Sequence, residues 1–113
     1  WTLTDANLIE PGRVGDQQQA VAPQDLLPDG CRTGGASVTH VVSGGTTIDV
    51  SSSSDGNLLL ADTSTTSITG GSGDDCLVGT STTTTLDGGA GTHDVCIGAV
   101  GTVFVGCETQ ITT

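Results

Sequence analysis

Four cysteines, Cys31, Cys76, Cys96 and Cys107, are the side chains with the widest choice of chemistry. As thiolates they would hold a soft metal; as disulfides they require an oxidising compartment. No CxxC pair is present, and an even cysteine count in a short, acidic, lysine-free chain fits two disulfides. A soft-metal alternative groups Cys76, His93 and Cys96 on adjacent turns of the repeat described below, but a zinc site should show four clear ligands. Catalytic signatures are missing: no serine sits in a G-x-S-x-G elbow. His40, in Val38-Thr39-His40-Val41-Val42, and His93 have no nucleophile paired with them in sequence context. The expectation is a protein that is not an enzyme.

Composition narrows the partners. In 113 residues, 13 acids face only Arg13 and Arg32, for a net charge of -11. Such a chain lacks the basic face that nucleic acids and anionic membranes need. Aromatics are 2%, so no stacking platform exists, and no apolar run is long enough to insert in a membrane. Methionine is absent, which suggests a processed, secreted chain that has lost its signal peptide. A mean hydropathy of +0.07 is too apolar for a typical disordered tail.

Two regions follow. Residues 1–35 contain Pro11, Pro23 and Pro28, which forbid a long helix or a central strand. They read as an irregular arm or cap, with one helical turn over Asp5–Glu10 capped by Thr4 or Asp5. Over residues 36–113 proline vanishes, and Gly, Ser, Thr and β-branched residues take over, favouring strands and tight turns.

An internal repeat organises this second region. Val41, Val50, Leu59, Ile68, Leu77, Leu86, Val95 and Phe104 recur every nine residues. With 34% apolar residues, a run of that length in one frame arises by chance about once in five hundred sequences. Gly70-Gly71 and Gly88-Gly89 stand eighteen residues apart. Nine residues then make half a coil, one short strand plus one turn, with an inward residue stacked on its copy eighteen residues later. The fold class is all-β: a short parallel β-solenoid, a β-roll of 18 residues per turn, with an irregular N-terminal cap.

Gly70-Gly-Ser-Gly-Asp-Asp75-Cys-Leu77-Val resembles the nonapeptide G-G-x-G-x-D-x-U-x of calcium-binding RTX β-roll proteins. Gly88-Gly-Ala-Gly-Thr-His93-Asp94-Val95-Cys follows it, with His93 where Asp belongs and Asp94 one place late. The stretch from Asp87 to Glu108 also looks like the closing segment of small secreted bacterial RTX-like modules. The resemblance implies calcium bound between successive turns by loop carbonyls and sixth-position carboxylates, in keeping with a hard cation that takes six to eight oxygens. Carried over residue by residue, it offers Gly70, Ser72, Asp74 and Asp75 from one loop. The loop above offers Gly88, Ala90 and Asp94, and the loop below Asp55 and Asn57. The alternative is that Asp74 and Asp75 are turn residues with solvated charges.

On the opposite edge Thr65 stacks on Thr83 and Thr66 on Thr84. A threonine ladder suits a strand surface; regular outward threonines would also suit an ice or crystal face, a sugar ligand, or O-linked glycans. No Asn-x-Ser/Thr sequon is present.

Three disulfide connectivities are open. Cys96 and Cys107 are close in sequence, and Gly98, Gly101 and Gly106 allow a reversal between them, clamping Phe104 over the end of the roll. Cys31 then pairs with Cys76. That requires the arm to leave the nine-residue frame and run back along the roll, or to cross from another subunit. The functional expectation is a secreted structural or interaction module, stabilised by calcium and disulfides and self-assembling into an extracellular filament through its arm. The alternative is a monomeric calcium-binding domain that presents the threonine face to a ligand.

Overall fold

The computed structural model describes residues 22–113. The expected turn at Asp5–Glu10 and the arm through residue 21 lie outside the described residues.

The chain is a parallel β-solenoid of about four turns. Its strands are β1 (His40–Ser43), β2 (Thr47–Asp49), β3 (Asn57–Leu60), β4 (Ser67–Thr69), β5 (Cys76–Val78), β6 (Thr85–Asp87), β7 (Val95–Gly98), β8 (Val103–Val105) and β9 (Thr109–Thr112). Odd strands form a five-stranded sheet in the order β9-β7-β5-β3-β1, and even strands a four-stranded sheet, β2-β4-β6-β8. Every pairing is parallel. Short strands broken by Gly, Ser, Asp and Thr turns allow this, since each half-coil needs only three or four extended residues before it must reverse.

Between the sheets lies a core of Ile48, Leu59, Ile68, Leu77, Leu86, Cys96 and Cys107. Leu59, Ile68, Leu77 and Leu86 are fully buried, as the nine-residue frame predicts. The frame slips at both ends. Val41 is 40% exposed, and Val42 takes the inward place opposite Leu59. Ile48 pairs with Ile68, twenty residues on, because the first coil makes a longer turn. Leu77 pairs with Cys96, nineteen residues on, so Val95 is buried on the outer face instead of in the interior.

The outer face of the five-stranded sheet carries a second core. Leu27, Cys31, Ala36 and Val38 pack on Leu58, Cys76 and Val95, with Leu60, Val78, Ile97 and Ile111 at the margin. The covering strap begins with a 3-10 turn, Pro23–Leu26, and continues as the short helix α1 (Asp29–Gly34), closed by Gly35 in the left-handed region at φ 89°. Gln24 fixes the strap to itself: its Oε1 accepts the Val38 N–H at 2.8 Å and its Nε2 donates to the Ala36 carbonyl at 3.3 Å. Cys31 is bonded to Cys76 and Cys96 to Cys107, with Cα separations of 5.8 and 5.9 Å. The strap therefore leaves the repeat frame and lies back along its own coils. This is the first of the two routes by which Cys31 could reach Cys76.

Candidate functional site

The residues singled out by the resemblance lie along one edge of the solenoid, where the loops enter the five-stranded sheet. Asn57, Asp75, Asp94 and Glu108 each precede the first residue of a register-matched set, Leu58, Cys76, Val95 and Thr109. They form one row, and each later side chain serves the backbone of the coil before it. The Asn57 N–H donates to Asp75 Oδ1 at 2.8 Å, the Asp75 N–H to Asp94 Oδ1 at 2.7 Å, and the Asp94 N–H to Glu108 Oε1 at 2.7 Å. The N–H at the entry of a strand has no partner of its own inside the coil; a carboxylate from the next coil supplies it and fixes the register by one turn.

The row corrects one alignment. Asp94, not His93, occupies the position equivalent to Asp75, since Val95 pairs with Cys76. His93 is an extra loop residue and points outward, half-exposed, with its Nδ1 3.5 Å from Asp74 Oδ2. Glu108, which the sequence reading did not include, completes the row. The signal was present as an acid directly before the last apolar-polar alternation, but the short final coil places it outside any eighteen-residue spacing.

The carboxylates differ in what they have left to offer. Asp75 is fully buried. Its Oδ1 also accepts the Asn57 side-chain amide at 3.3 Å, and its Oδ2 accepts the N–H of Gly71 at 3.0 Å. Burial pushes its pKa up, against the pull of those donors, and the Asp74 charge adds to the rise. Asp94 is also fully buried, but its Oδ2 has no hydrogen-bond partner among the described residues. Burial, reinforced by the charges of Asp75, Glu108 and Asp74, pushes its pKa up to about 7. Partial burial raises Asp74, but the N–H groups of Thr92 and His93, both donating to Oδ1 at 3.1 Å, and the His93 ring bring it below its ordinary value.

The remaining members of the expected ligand set lie around this row. Asn57 donates its side-chain amide to the Asp55 carbonyl at 2.9 Å. Asp55 is exposed beside His40, 3.7 Å from its Nδ1. Gly70 and Gly88 are buried within the stacked loops, and Ser72 and Ala90 stand on their exposed side. The glycines have a packing reason: a Cβ on Gly89, at φ 74°, would stand 2.6 Å from the carbonyl oxygens of Gly70 and Gly71. Among the described residues no group of three or more His, Cys, Asp or Glu side chains is arranged to hold a metal ion. The Cys76–His93–Cys96 constellation does not form, because both sulfurs are in disulfides.

The opposite edge is also a ladder, and here the expected surface row is corrected. Thr65 and Thr83 are buried. Each hydroxyl accepts an N–H within its own turn, from Asp62 and Thr80, at 3.0 Å. Each donates to the coil before it, Thr65 to the Gly45 carbonyl at 2.6 Å and Thr83 to the Thr65 carbonyl at 3.1 Å. Thr66 and Thr84 are exposed as expected, yet their hydroxyls also donate backwards, to the carbonyls of Thr46 at 3.2 Å and Thr66 at 3.0 Å.

Both histidines sit beside a hydroxyl and a carboxylate. Thr39 Oγ1 is 3.0 Å from His40 Nδ1, and Thr92 Oγ1 is 2.9 Å from His93 Nδ1. In each case the hydroxyl and the carboxylate approach the same ring nitrogen. A relay needs them on opposite nitrogens, so this arrangement does not activate the threonine.

No protein-family model, curated protein or solved structure matches the chain. The two disulfides point to an oxidising environment, and among the described residues no helix is long and apolar enough to cross a membrane.

Proposed function

We propose that the chain is a secreted, non-catalytic structural and interaction module, a stiff extracellular solenoid that associates with its own kind. The observation that supports this best is the pair of opposed ladders. The polar side chains that could have done chemistry on both edges are bonded to the neighbouring coil, carboxylate to N–H on one edge and hydroxyl to carbonyl on the other. Two disulfides then fix what hydrogen bonds alone would leave free to open, the strap and the final coil. The test is a thiol titration of the protein recovered from the extracellular fraction, with a melt before and after reduction. The reading expects no free thiol and a lower melting temperature on reduction. Four titratable thiols in the native protein, or retention inside the cell, would contradict it.

A second reading, that the module binds calcium, is supported by one atom. Asp94 Oδ2 is buried, unpartnered among the described residues, and flanked by further carboxylates. It lies 3.1 Å from where a Cβ on Gly91 would stand, a position that the Gly73 carbonyl also crowds. An anionic oxygen beside a carbonyl fits a hard cation. Asp94 and the Gly73 carbonyl would hold it, with Glu108 and Asp74 supplying nearby charge; Asp75, already engaged with N–H donors, fits less well. Bound calcium would supply the positive charge that this acidic row lacks. Comparing melts in calcium and in chelator tests the reading.

A further inference from the structure

We infer that the open edge of the last coil, strand β8, is where two copies of this chain pair end to end about a twofold axis. This deepens the reading of the chain as a self-associating module and rests on it. The four-stranded sheet turns its outer face away from the strap, and its outward rows can be followed coil by coil. One row runs Thr47, Ser67, Thr85, Val103; the other runs Asp49, Thr69, Asp87, Val105. Both are polar for three strands and become apolar on the fourth. Val103 is 57% exposed and Val105 47%, and Val100, in the preceding turn, is 85% exposed. A solenoid whose last coil faces solvent carries polar residues there. Among the described residues, this one places Val-Phe-Val on an edge strand with a neighbour on one side only. Such an edge is a template for strand pairing.

Charge selects the occupant. The chain carries a net charge of -11, yet residues 98–107 contain no charged side chain. The next acid, Glu108, immediately precedes β9 of the other sheet. The opposite end of the solenoid exposes Asp49 on β2 and Asp55 beside β3. Head-to-tail stacking would continue the outward rows across the junction and set Asp49 of one copy against Val105 of the next, removing water from a carboxylate without a partner. Pairing β8 with β8 in antiparallel fashion sets Val103 of one copy opposite Val105 of the other, with Phe104 at the centre, and keeps the acidic ends apart. Cross-strand β-branched pairs of this kind are favourable. The contact is isologous, so it closes at two copies and does not grow into a filament.

The experiment is sedimentation equilibrium on the oxidised 113-residue chain over a wide concentration range in chelator. A reversible dimer of twice 11.1 kDa is expected, with no larger species. The double variant Val103→Lys, Val105→Lys should weaken dimerisation at least 100-fold while leaving both disulfides and the circular dichroism spectrum unchanged. Thr47→Lys, at the other end, should leave the dimer intact. The amide of Phe104 in the wild type should become more protected from exchange as concentration rises, a readout that needs no variant. Three results would overturn the inference. A monomer at every concentration would mean that the edge stays unpaired; an open-ended series would mean head-to-tail stacking; a dimer indifferent to the β8 lysines would place the contact elsewhere. None of these would alter the thiol titration that tests the extracellular structural reading.

Discussion

The backbone N–H of Asp75 donates to Asp94 Oδ1, 2.7 Å away and one coil up the solenoid. The same bond joins Asn57 to Asp75 below and Asp94 to Glu108 above. A carboxylate at one position thus does what a capping residue does for a helix: it satisfies the donor that regular structure leaves over.

Asp75→Ala should therefore destabilise the fold with or without calcium. It strands the N–H groups of Asn57 and Gly71 in a buried site, each at a cost of about 1–3 kcal/mol. Urea denaturation in chelator measures this. A loss seen only when calcium is present would mean that Asp75 is a metal ligand and not a rung.

The threonine edge makes a paired prediction. Thr83→Val removes a buried hydroxyl that accepts from Thr80 and donates to Thr65, and should cost about 1–3 kcal/mol. Thr84→Val removes an exposed hydroxyl and should cost under about 1 kcal/mol, since water replaces the bond and valine suits a strand. Equal losses from the two variants would show that the buried and exposed rows are equivalent.

Stability in chelator should fall as pH rises from about 4 to 8. Asp94 has a folded pKa raised to about 7 and Asp75 is raised too, so the folded state holds protons that the unfolded state has already released. Their contribution is complete below the ordinary carboxylate pKa and lost as pH climbs through the folded value. Among the described residues, the groups facing Asp94 are Asp74, Asp75 and Glu108, all acidic, with His93 bonded to Asp74 on the exposed side. Asp49, Asp62 and Asp74 are shifted the other way, but they are far more accessible to solvent and their effect is smaller. Asp94→Asn keeps an oxygen for the Asp75 N–H while removing the charge. It should flatten the pH dependence and raise the melting temperature at pH 8. If calcium binds at Asp94, adding it should flatten the wild-type curve as well, and should do nothing to the Asn variant.

Much of this architecture was legible in the sequence. The eighteen-residue period, the inward Leu59, Ile68, Leu77 and Leu86, and the Cys96–Cys107 bridge follow from spacing, because a repeat must stack like on like; Cys31–Cys76 follows only as the remaining pair and breaks the nine-residue frame. The second core was less visible. Leu58-Leu59-Leu60, Cys76-Leu77-Val78 and Val95-Cys96-Ile97 are continuous apolar triplets, the mark of strands buried on both faces, yet a frame that tracks one residue in nine ignores their neighbours. The register at Asp94 was hidden by the inserted His93, and the burial of Thr65 and Thr83 by the assumption that polar rows face water. Both depend on how each turn closes, which spacing alone does not report.

The strap gives a further prediction. Cys31→Ser together with Cys76→Ser should cost about 4 kcal/mol on the chain-entropy model, for a separation of 45 residues. It should also raise binding of a hydrophobic dye as Leu58 and Val95 become intermittently exposed. Unchanged dye binding would mean that Leu27, Ala36, Val38 and the Gln24 bonds hold the strap without the crosslink.

The central claim, that the edge carboxylates are rungs holding successive coils in register, is tested most directly by native-state hydrogen exchange at single-residue resolution in chelator. The backbone amides of Asn57, Asp75 and Asp94 all donate to side-chain carboxylates. They should exchange as slowly as the mid-strand amides of Leu59 and Leu77, and Asp94→Asn should leave Asp75 protected while Asp94→Ala releases it. Exchange of all three at loop rates in the wild type would contradict the account.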